Sequence, residues 1–236
     1  DRLLLMTVHA GSFILPAFIV ARLFESSGRE LLSLKPPASR TALLLLPLVM
    51  FFAFPVINAL YAWNMTFDLP QVLVEQEEVA NDMLDSILTM NGWLDYILAY
   101  LAIALLPAVG EELLYRGVVQ HYLMKLGRNP HMSIVVTAMI FSAMHFQFMG
   151  FVPRFALGLI LGYLCFWSGS ILPGMILHFI NNAWGVTVQI LLQKEVVSQE
   201  ADTYGEEISW IPVLIYATIC AALLHRFRDL NRKKSA

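Results

Sequence analysis

The sequence predicts an all-α protein that crosses a lipid bilayer as a bundle of about seven to eight helices. Of its 236 residues, 58% are hydrophobic and 14% are charged, whereas a soluble domain has roughly 45–50% and 25%. The hydrophobic residues form long continuous runs, and only closed barrels of alternating pattern carry strands across lipid. The length leaves no room for a separate soluble domain, so residues 1–236 are predicted to form one integral membrane domain.

Eight apolar segments account for the predicted helices. In chain order they are A (about 3–24), B (42–64), C (93–110), D (111–126), E (132–147), F (151–168), G (171–193) and H (209–226). Pro36-Pro37, Gly127 to Pro130 and Gly169-Ser170 mark joints between them. Prolines inside apolar runs predict kinks, here at Pro16, Pro47, Pro55 and Pro107. Gly158 and Gly162 on F form a GxxxG pattern, which permits close approach of another helix.

The distribution of charge predicts the orientation in the membrane. Basic residues follow segments A, D and H, and acidic residues fill the B–C and G–H connections. The basic residues are Arg22, Arg29, Lys35, Arg40, Lys125, Arg128, Arg226, Arg228, Arg232, Lys233 and Lys234. The alternation is consistent only if C and D together make one inward crossing, with D bent or near the cytoplasmic interface. We therefore expect a cytoplasmic C-terminus, and a chain that starts with Asp1 rather than Met suggests a preceding N-terminal segment.

Other compositional features exclude several classes of function. A net charge of −3 argues against a nucleic-acid partner, which requires a basic face. Cys165 and Cys220 both lie inside apolar runs, so we expect buried thiols rather than a disulfide or a metal site. Neither cysteine lies near the polar residues described next, and no GxSxG pattern occurs, so a serine or cysteine nucleophile is not expected.

Three segments carry clusters of ionisable and amide side chains, and the rest of the membrane-spanning sequence is nearly free of charge. An ionisable side chain at membrane depth costs at least about 2.5 kcal/mol, so each one requires a partner or a function. Segment D begins with Glu111, Glu112 and Arg116, segment E ends at His145, and segment G carries His178, Asn181 and Asn182. Because three separate segments contribute one cluster each, we expect the clusters to meet inside the bundle.

Helical spacing distinguishes the two glutamates. Glu112 and Arg116 are four residues apart, which favours an intrahelical ion pair with a structural role. Glu111 points about 100° away and has no cation nearby in sequence, which favours a role as general base. His178 and Asn182 share one face of segment G in the same way. The remaining histidines are interpreted as packing or surface residues: His9, His121, His131 and His225.

These residues resemble the motifs of the CPBP family of intramembrane proteases, which includes the type II CAAX prenyl endopeptidases and bacteriocin self-immunity proteins. The family pattern Glu-Glu-x-x-x-Arg, Phe-x-x-x-His and His-x-x-x-Asn is complete within about residues 93–193. The resemblance implies that Glu111 and His145 activate a water and that His178 and Asn182 stabilise the oxyanion. It implies supporting roles for Glu112, Arg116 and Phe141, and a bacterial inner-membrane location.

The resemblance leaves the metal and the substrate open. Glu111, His145 and His178 would suit zinc as three ligands, as in a metalloprotease, although the HExxH pattern is absent and the same residues could act without metal. A cavity within the membrane implies a membrane-associated peptide or protein as substrate, and cleavage of prenylated tails belongs to the eukaryotic members of the family. Two alternatives remain: a non-proteolytic immunity or scaffold protein, and a transporter in which Glu and His relay protons or metal ions.

Overall fold

The computed structural model describes residues 2–24, 33–37, 39–127, 129–197 and 209–232, and within them it contains helices and no strand. The predicted all-α bundle is therefore confirmed. Six helices are long and apolar enough to span a membrane, and α5 is a shorter apolar helix. The helices are α1 (Arg2–Phe24), α2 (Arg40–Asn64), α3 (Gln71–Leu88), α4 (Trp93–Lys125), α5 (Pro130–Ala143), α6 (Phe148–Ser168), α7 (Leu172–Gln193) and α8 (Trp210–Arg232).

Three details of the predicted helices are wrong. Segments C and D are one continuous helix, α4, because Gly110 lies inside it, packed against α1, instead of ending it. The B–C connection contains α3, which was not predicted because its sequence is acidic and has no long apolar run. Segment E stops at Ala143, so His145 lies in the turn after α5 rather than on the helix.

Several helices depart from regular α geometry. Three stretches are π-helical: Ala10–Ile14 in α1, and Tyr100–Leu105 and Leu113–Gln120 in α4. The first two end just before Pro16 and Pro107, which lack the N–H that a regular helix needs. Pro47 likewise follows a 3₁₀ stretch, whereas Pro55 lies inside regular α-helix. Because π segments are frequent at functional sites, the two in α4 point to the region around Glu111 and Glu112.

The glycines of α6 allow α4 and α5 to approach closely. A Cβ on Gly158 would lie 3.1 Å from Ala138 Cβ on α5, and one on Gly162 would lie 2.8 Å from Ile134 Cγ2. Both glycine carbonyls also accept hydrogen bonds from α4, from Arg116 (3.0 Å) and from Gln120 (3.1 Å). The GxxxG pattern therefore packs the helices that carry the polar clusters against one another.

Away from the polar clusters, much of the bundle interior and of its outer surface is apolar. A buried core joins α2, α6, α7 and α8 through residues such as Leu46, Leu161, Leu177 and Phe227. Large hydrophobic side chains, including Leu4, Phe51 and Ile211, are more than 60% exposed, which a membrane protein requires and a soluble one avoids. Cys165 and Cys220 are free, buried thiols, as expected.

The orientation in the membrane stays a prediction. Part of the charge pattern on which it rests lies outside the described residues: Arg29, Arg128, Lys233, Lys234, Glu200, Asp202, Glu206 and Glu207.

Candidate active site

The side chains of His145 and His178 meet at Glu111, as predicted. Glu111 lies on α4 between its two π segments and is only 5% exposed. His145 Nε2 is 4.0 Å from Glu111 Oε2, and His178 Nε2 is 3.9 Å from the same oxygen. Residues from α4, α7 and the turn after α5 therefore surround one carboxylate oxygen. That oxygen is buried and has no hydrogen-bond partner within the described part of the chain.

The two distances suit a shared water. They are too long for direct hydrogen bonds, but two bonds of about 2.8 Å that meet at one water oxygen span roughly 4 Å at an angle near 90°. Ligand atoms about 2.0–2.1 Å from a tetrahedral zinc lie closer together, roughly 3.3 Å apart. No group of three or more His, Cys, Asp or Glu side chains among the described residues has a geometry suited to a metal ion. The two separations match one bridging water, and zinc at Glu111, His145 and His178 stays a prediction.

The hydrogen bond between His145 and the backbone determines which nitrogen of its ring carries the proton. His145 Nδ1 lies 2.8 Å from the carbonyl oxygen of Phe141, and a carbonyl can only accept. Nδ1 therefore carries the proton and donates it, so Nε2 of the neutral ring is the acceptor. The chain turns sharply directly afterwards, since Phe146 has a φ of 54°, an uncommon value for a bulky residue.

Glu112 forms a buried network beside this site. Its Oε1 accepts hydrogen bonds from Arg116 Nη1 at 2.6 Å and from His178 Nδ1 at 3.0 Å, and the Glu112 and Arg116 side chains are fully buried. A Cβ on Gly174 would lie 2.8 Å from Glu112 Oε2, so only glycine leaves α7 this close to α4. Glu112 thus neutralises Arg116, as the spacing predicted, and also orients the ring of His178.

Phe141 lies at the centre of the aromatic and cationic groups. Its buried ring stacks edge-on against His145 and His178, with centroids 5.1 and 5.8 Å apart. The Arg116 guanidinium carbon lies 4.7 Å from the centre of the same ring. Phe141 therefore restricts the positions of both histidines.

Asn182 lies one helical turn beyond His178 but is bonded elsewhere. Its Nδ2 donates to the carbonyl of Ile103 at 3.2 Å, and its Oδ1 accepts from Asn181 Nδ2 at 3.0 Å. No hydrogen bond joins Asn182 to Glu111, His145 or His178 in the described residues. One N–H of Nδ2 takes no acceptor there and can serve another group.

His9 corrects the sequence-based interpretation of the remaining histidines. His9 Nε2 is 3.1 Å from Glu111 Oε1, the shortest contact of that carboxylate with a histidine, and the ring stacks on Phe13. The only sequence signal was its position well inside segment A, away from either end. Among the others, His131 bonds to the Tyr163 hydroxyl and His225 pairs with Asp229 at the surface, which agrees with structural roles.

The fold and this cluster define an integral membrane protein with a buried acid–histidine site. Residues 93–184 match the family of Rce1-like type II CAAX prenyl endopeptidases, and this match confirms the predicted resemblance. The matched segment contains every motif residue of α4, α5 and α7 and covers well under half of the chain.

One curated relative supports the same likeness over a similar length. The chain is 32% identical over 85 residues to the uncharacterised protein YpbD of Bacillus subtilis (strain 168), covering 34% of this chain. The match spans 40% of the length of that relative. No solved structure matches the chain at a significant level.

Proposed function

We propose that the protein is an intramembrane endopeptidase that hydrolyses a peptide bond of a membrane-associated peptide or protein. The observation that carries the proposal is the unpartnered Glu111 Oε2, faced by His145 Nε2 and His178 Nε2 at 4.0 and 3.9 Å. A buried carboxylate with an unused oxygen beside two imidazoles is the arrangement that general-base activation of a water requires. The similarity of residues 93–184 to a protease family supports the proposal.

The chemistry needs only the side chains around that oxygen. Glu111 takes a proton from the water as the water oxygen bonds to the peptide carbonyl carbon, and His145 Nε2 accepts the second hydrogen bond of the water. The carbonyl oxygen becomes the oxyanion of a tetrahedral intermediate. When the C–N bond breaks, the proton passes from Glu111 to the leaving nitrogen, which yields a carboxyl end and an amine.

His178 and Asn182 are the proposed donors to the oxyanion. Each ring nitrogen of His178 faces one carboxylate, Nε2 towards Glu111 and Nδ1 towards Glu112, and the oxyanion role requires the ring state in which both nitrogens donate. In that state His178 Nε2–H points toward the reaction site while Nδ1–H stays on Glu112. The unused N–H of Asn182 is the second donor.

The proposal includes a location and a substrate class. The positive residues after segments A, D and H support a cytoplasmic C-terminus, and the likeness to a Bacillus subtilis protein supports a bacterial plasma membrane. The substrate must reach a site surrounded by membrane-spanning helices, so a peptide segment held at the membrane is the fitting class. The family description names prenyl substrates, so a prenylated peptide belongs in any substrate screen.

The test compares variants in lipid nanodiscs on a quenched library of membrane-associated peptides, with and without prenylation. We expect cleavage by the parent, none by Glu111→Gln or His145→Ala, and normal cleavage by His225→Ala, a matched change at an exposed histidine. Cleavage should survive a chelator, whereas loss on chelation with recovery on adding zinc would support a metalloprotease instead. An inert parent that still protects cells from a bacteriocin would favour an immunity protein.

A further inference from the structure

A cavity with polar and apolar walls lies between α2, α6 and α7. Its volume is about 310 Å³, and its lining includes Asn58 and Tyr61 from α2, Arg154 from α6 and Asn181 from α7. Four polar side chains around one cavity are unusual in a bundle whose spans are otherwise apolar. Arg154 lies near the start of α6, a helix long and apolar enough to span a membrane, and a cation there requires a partner or a function.

The wall that carries Arg154 is held by specific hydrogen bonds. Arg154 Nη2 donates to the carbonyl of Gln147, two residues after His145. On the same turn, the Met149 N–H donates to Glu77 at 2.8 Å and the Val152 N–H donates to Asn64 at 2.7 Å. Buried acceptors on α2 and α3 thus fix the backbone from which Arg154 enters the cavity.

The Arg154 guanidinium keeps unused hydrogen-bonding capacity. The guanidinium has five N–H donors. One N–H of Nη2 donates to the backbone carbonyl of Gln147, and Nη1 makes a long contact of 3.5 Å with the side chain of Gln147. Nε is buried and has no hydrogen-bond partner among the described residues. The buried carboxylate of Glu77 and the hydroxyl of Tyr61 interact with it electrostatically, although no described carboxylate lies within ion-pair distance of it. Asn58 adds an amide that bonds to no described residue. This donor set suits a planar, negatively charged acceptor such as a carboxylate.

The cavity connects to the site through two short links. Asn181 lines the cavity and donates to Asn182 Oδ1 at 3.0 Å, so one hydrogen bond joins the lining to the proposed oxyanion donor. Gln147, which accepts from Arg154, follows His145 in the same turn. Arg154 is therefore bonded to the segment that follows His145, and the cavity is lined by the helix that carries Asn182.

We propose that this cavity is a subsite for a carboxylate of the peptide substrate, with Arg154 as its specificity-determining residue. The inference rests on the proposed peptidase function and names the chemistry of its substrate. The carboxylate comes from the free C-terminus of the peptide or from an Asp or Glu side chain.

The experiment separates these two sources with three lipid-anchored fluorescent peptides of otherwise identical sequence. One has a free C-terminal carboxylate, one a C-terminal carboxamide, and one a carboxamide end with a Glu side chain near it. Binding is measured on the Glu111→Gln protein in nanodiscs, alone and combined with Arg154→Gln, and cleavage is measured on the parent and on Arg154→Gln. We expect one carboxylate peptide to bind about 10- to 100-fold more tightly than the all-amide peptide, since hydrogen bonds to charged groups have this strength.

Arg154→Gln should remove that preference by raising KM for the carboxylate peptide, with little effect on the all-amide peptide. Asn58→Asp is a second variant that leaves Arg154 in place. Its new carboxylate should repel the ligand and lower the same preference, so the test does not depend on one variant that fails to fold. Equal binding of all three peptides, or a preference that survives both substitutions, would overturn the subsite. Carboxylate-selective binding without cleavage by the parent would keep the subsite and remove the peptidase.

Discussion

Replacing each of the two adjacent glutamates by glutamine should have opposite consequences. In Glu112→Gln the side chain keeps its size but loses the charge that Arg116 Nη1 contacts at 2.6 Å and His178 Nδ1 at 3.0 Å. Arg116 is fully buried, so the change leaves its guanidinium without a neutralising carboxylate in the described bundle. Removing one partner of a buried ion pair costs about 3–5 kcal/mol of unfolding free energy.

Glu111→Gln is the matched control, because it makes the same chemical change one residue earlier at an equally buried position. The contacts of Glu111 are with histidines, and an amide can keep the hydrogen bond to His9 Nε2. The free energy of unfolding should change by no more than about 1 kcal/mol, the usual range for a substitution that strands no charge. Hydrolysis should nevertheless be lost, because an amide cannot take the proton of the water.

Thermal unfolding in detergent measures the difference. A change of 1 kcal/mol shifts Tm by roughly 2–4 °C at this chain length, so Glu112→Gln should melt about 6–20 °C below the parent, and Glu111→Gln within about 4 °C of it. Adding Arg116→Met to Glu112→Gln should recover part of the loss, because the unpaired cation is gone. Equal melting of the two glutamine variants, or no recovery in the double variant, would refute the division of roles.

Two further predictions concern residues that hold the glutamates in place. Gly174→Ala should lower the free energy of unfolding by about 1–3 kcal/mol and lower kcat, because its methyl group would lie 2.8 Å from Glu112 Oε2. Gly185→Ala is the control in melting and activity assays, because a Cβ there meets nothing within 4 Å. His9→Ala should lower kcat by roughly 10- to 100-fold with little change in KM, because Glu111 Oε1 loses its partner at 3.1 Å, and His9→Gln should restore part of the rate. Equal melting of Gly174→Ala and Gly185→Ala would contradict the packing of Gly174 against Glu112. A His9→Ala rate equal to that of the parent would contradict the positioning of Glu111 by His9.

Much of the site follows from local spacing combined with the cost of charge in lipid. The four-residue interval between Glu112 and Arg116 is a property of one helix, and it predicts their ion pair without knowledge of the fold. The meeting of Glu111, His145 and His178 was predictable because each side chain avoids lipid only by facing the interior. The long apolar runs predicted the all-α bundle, because a helix satisfies all of its backbone hydrogen bonds inside lipid.

The errors arise where polarity or helix geometry departs from that rule. Helix α3 carries many acids and resembled a connection, although its buried Glu77 accepts a hydrogen bond from Met149. The predicted boundary between C and D fell at Gly110, but a glycine in a membrane helix also serves close packing, here against Phe13 and Ile14. Arg154 was not recognised, because a single arginine near the start of segment F carries no spacing motif.

The contact between His9 and Glu111 shows most clearly what a single sequence does not contain. Hydropathy places segment A in the membrane but leaves its rotation about the helix axis open. That rotation depends on the packing of α1 against α4, where a Cβ on Gly110 would lie 3.1 Å from both Phe13 and Ile14. The π-helical stretch Ala10–Ile14 begins directly after His9 and changes the faces that the following residues present. Because the glycine and the π stretch are about a hundred residues apart and neither has a motif of its own, only the packed structure identifies His9 as the partner of Glu111.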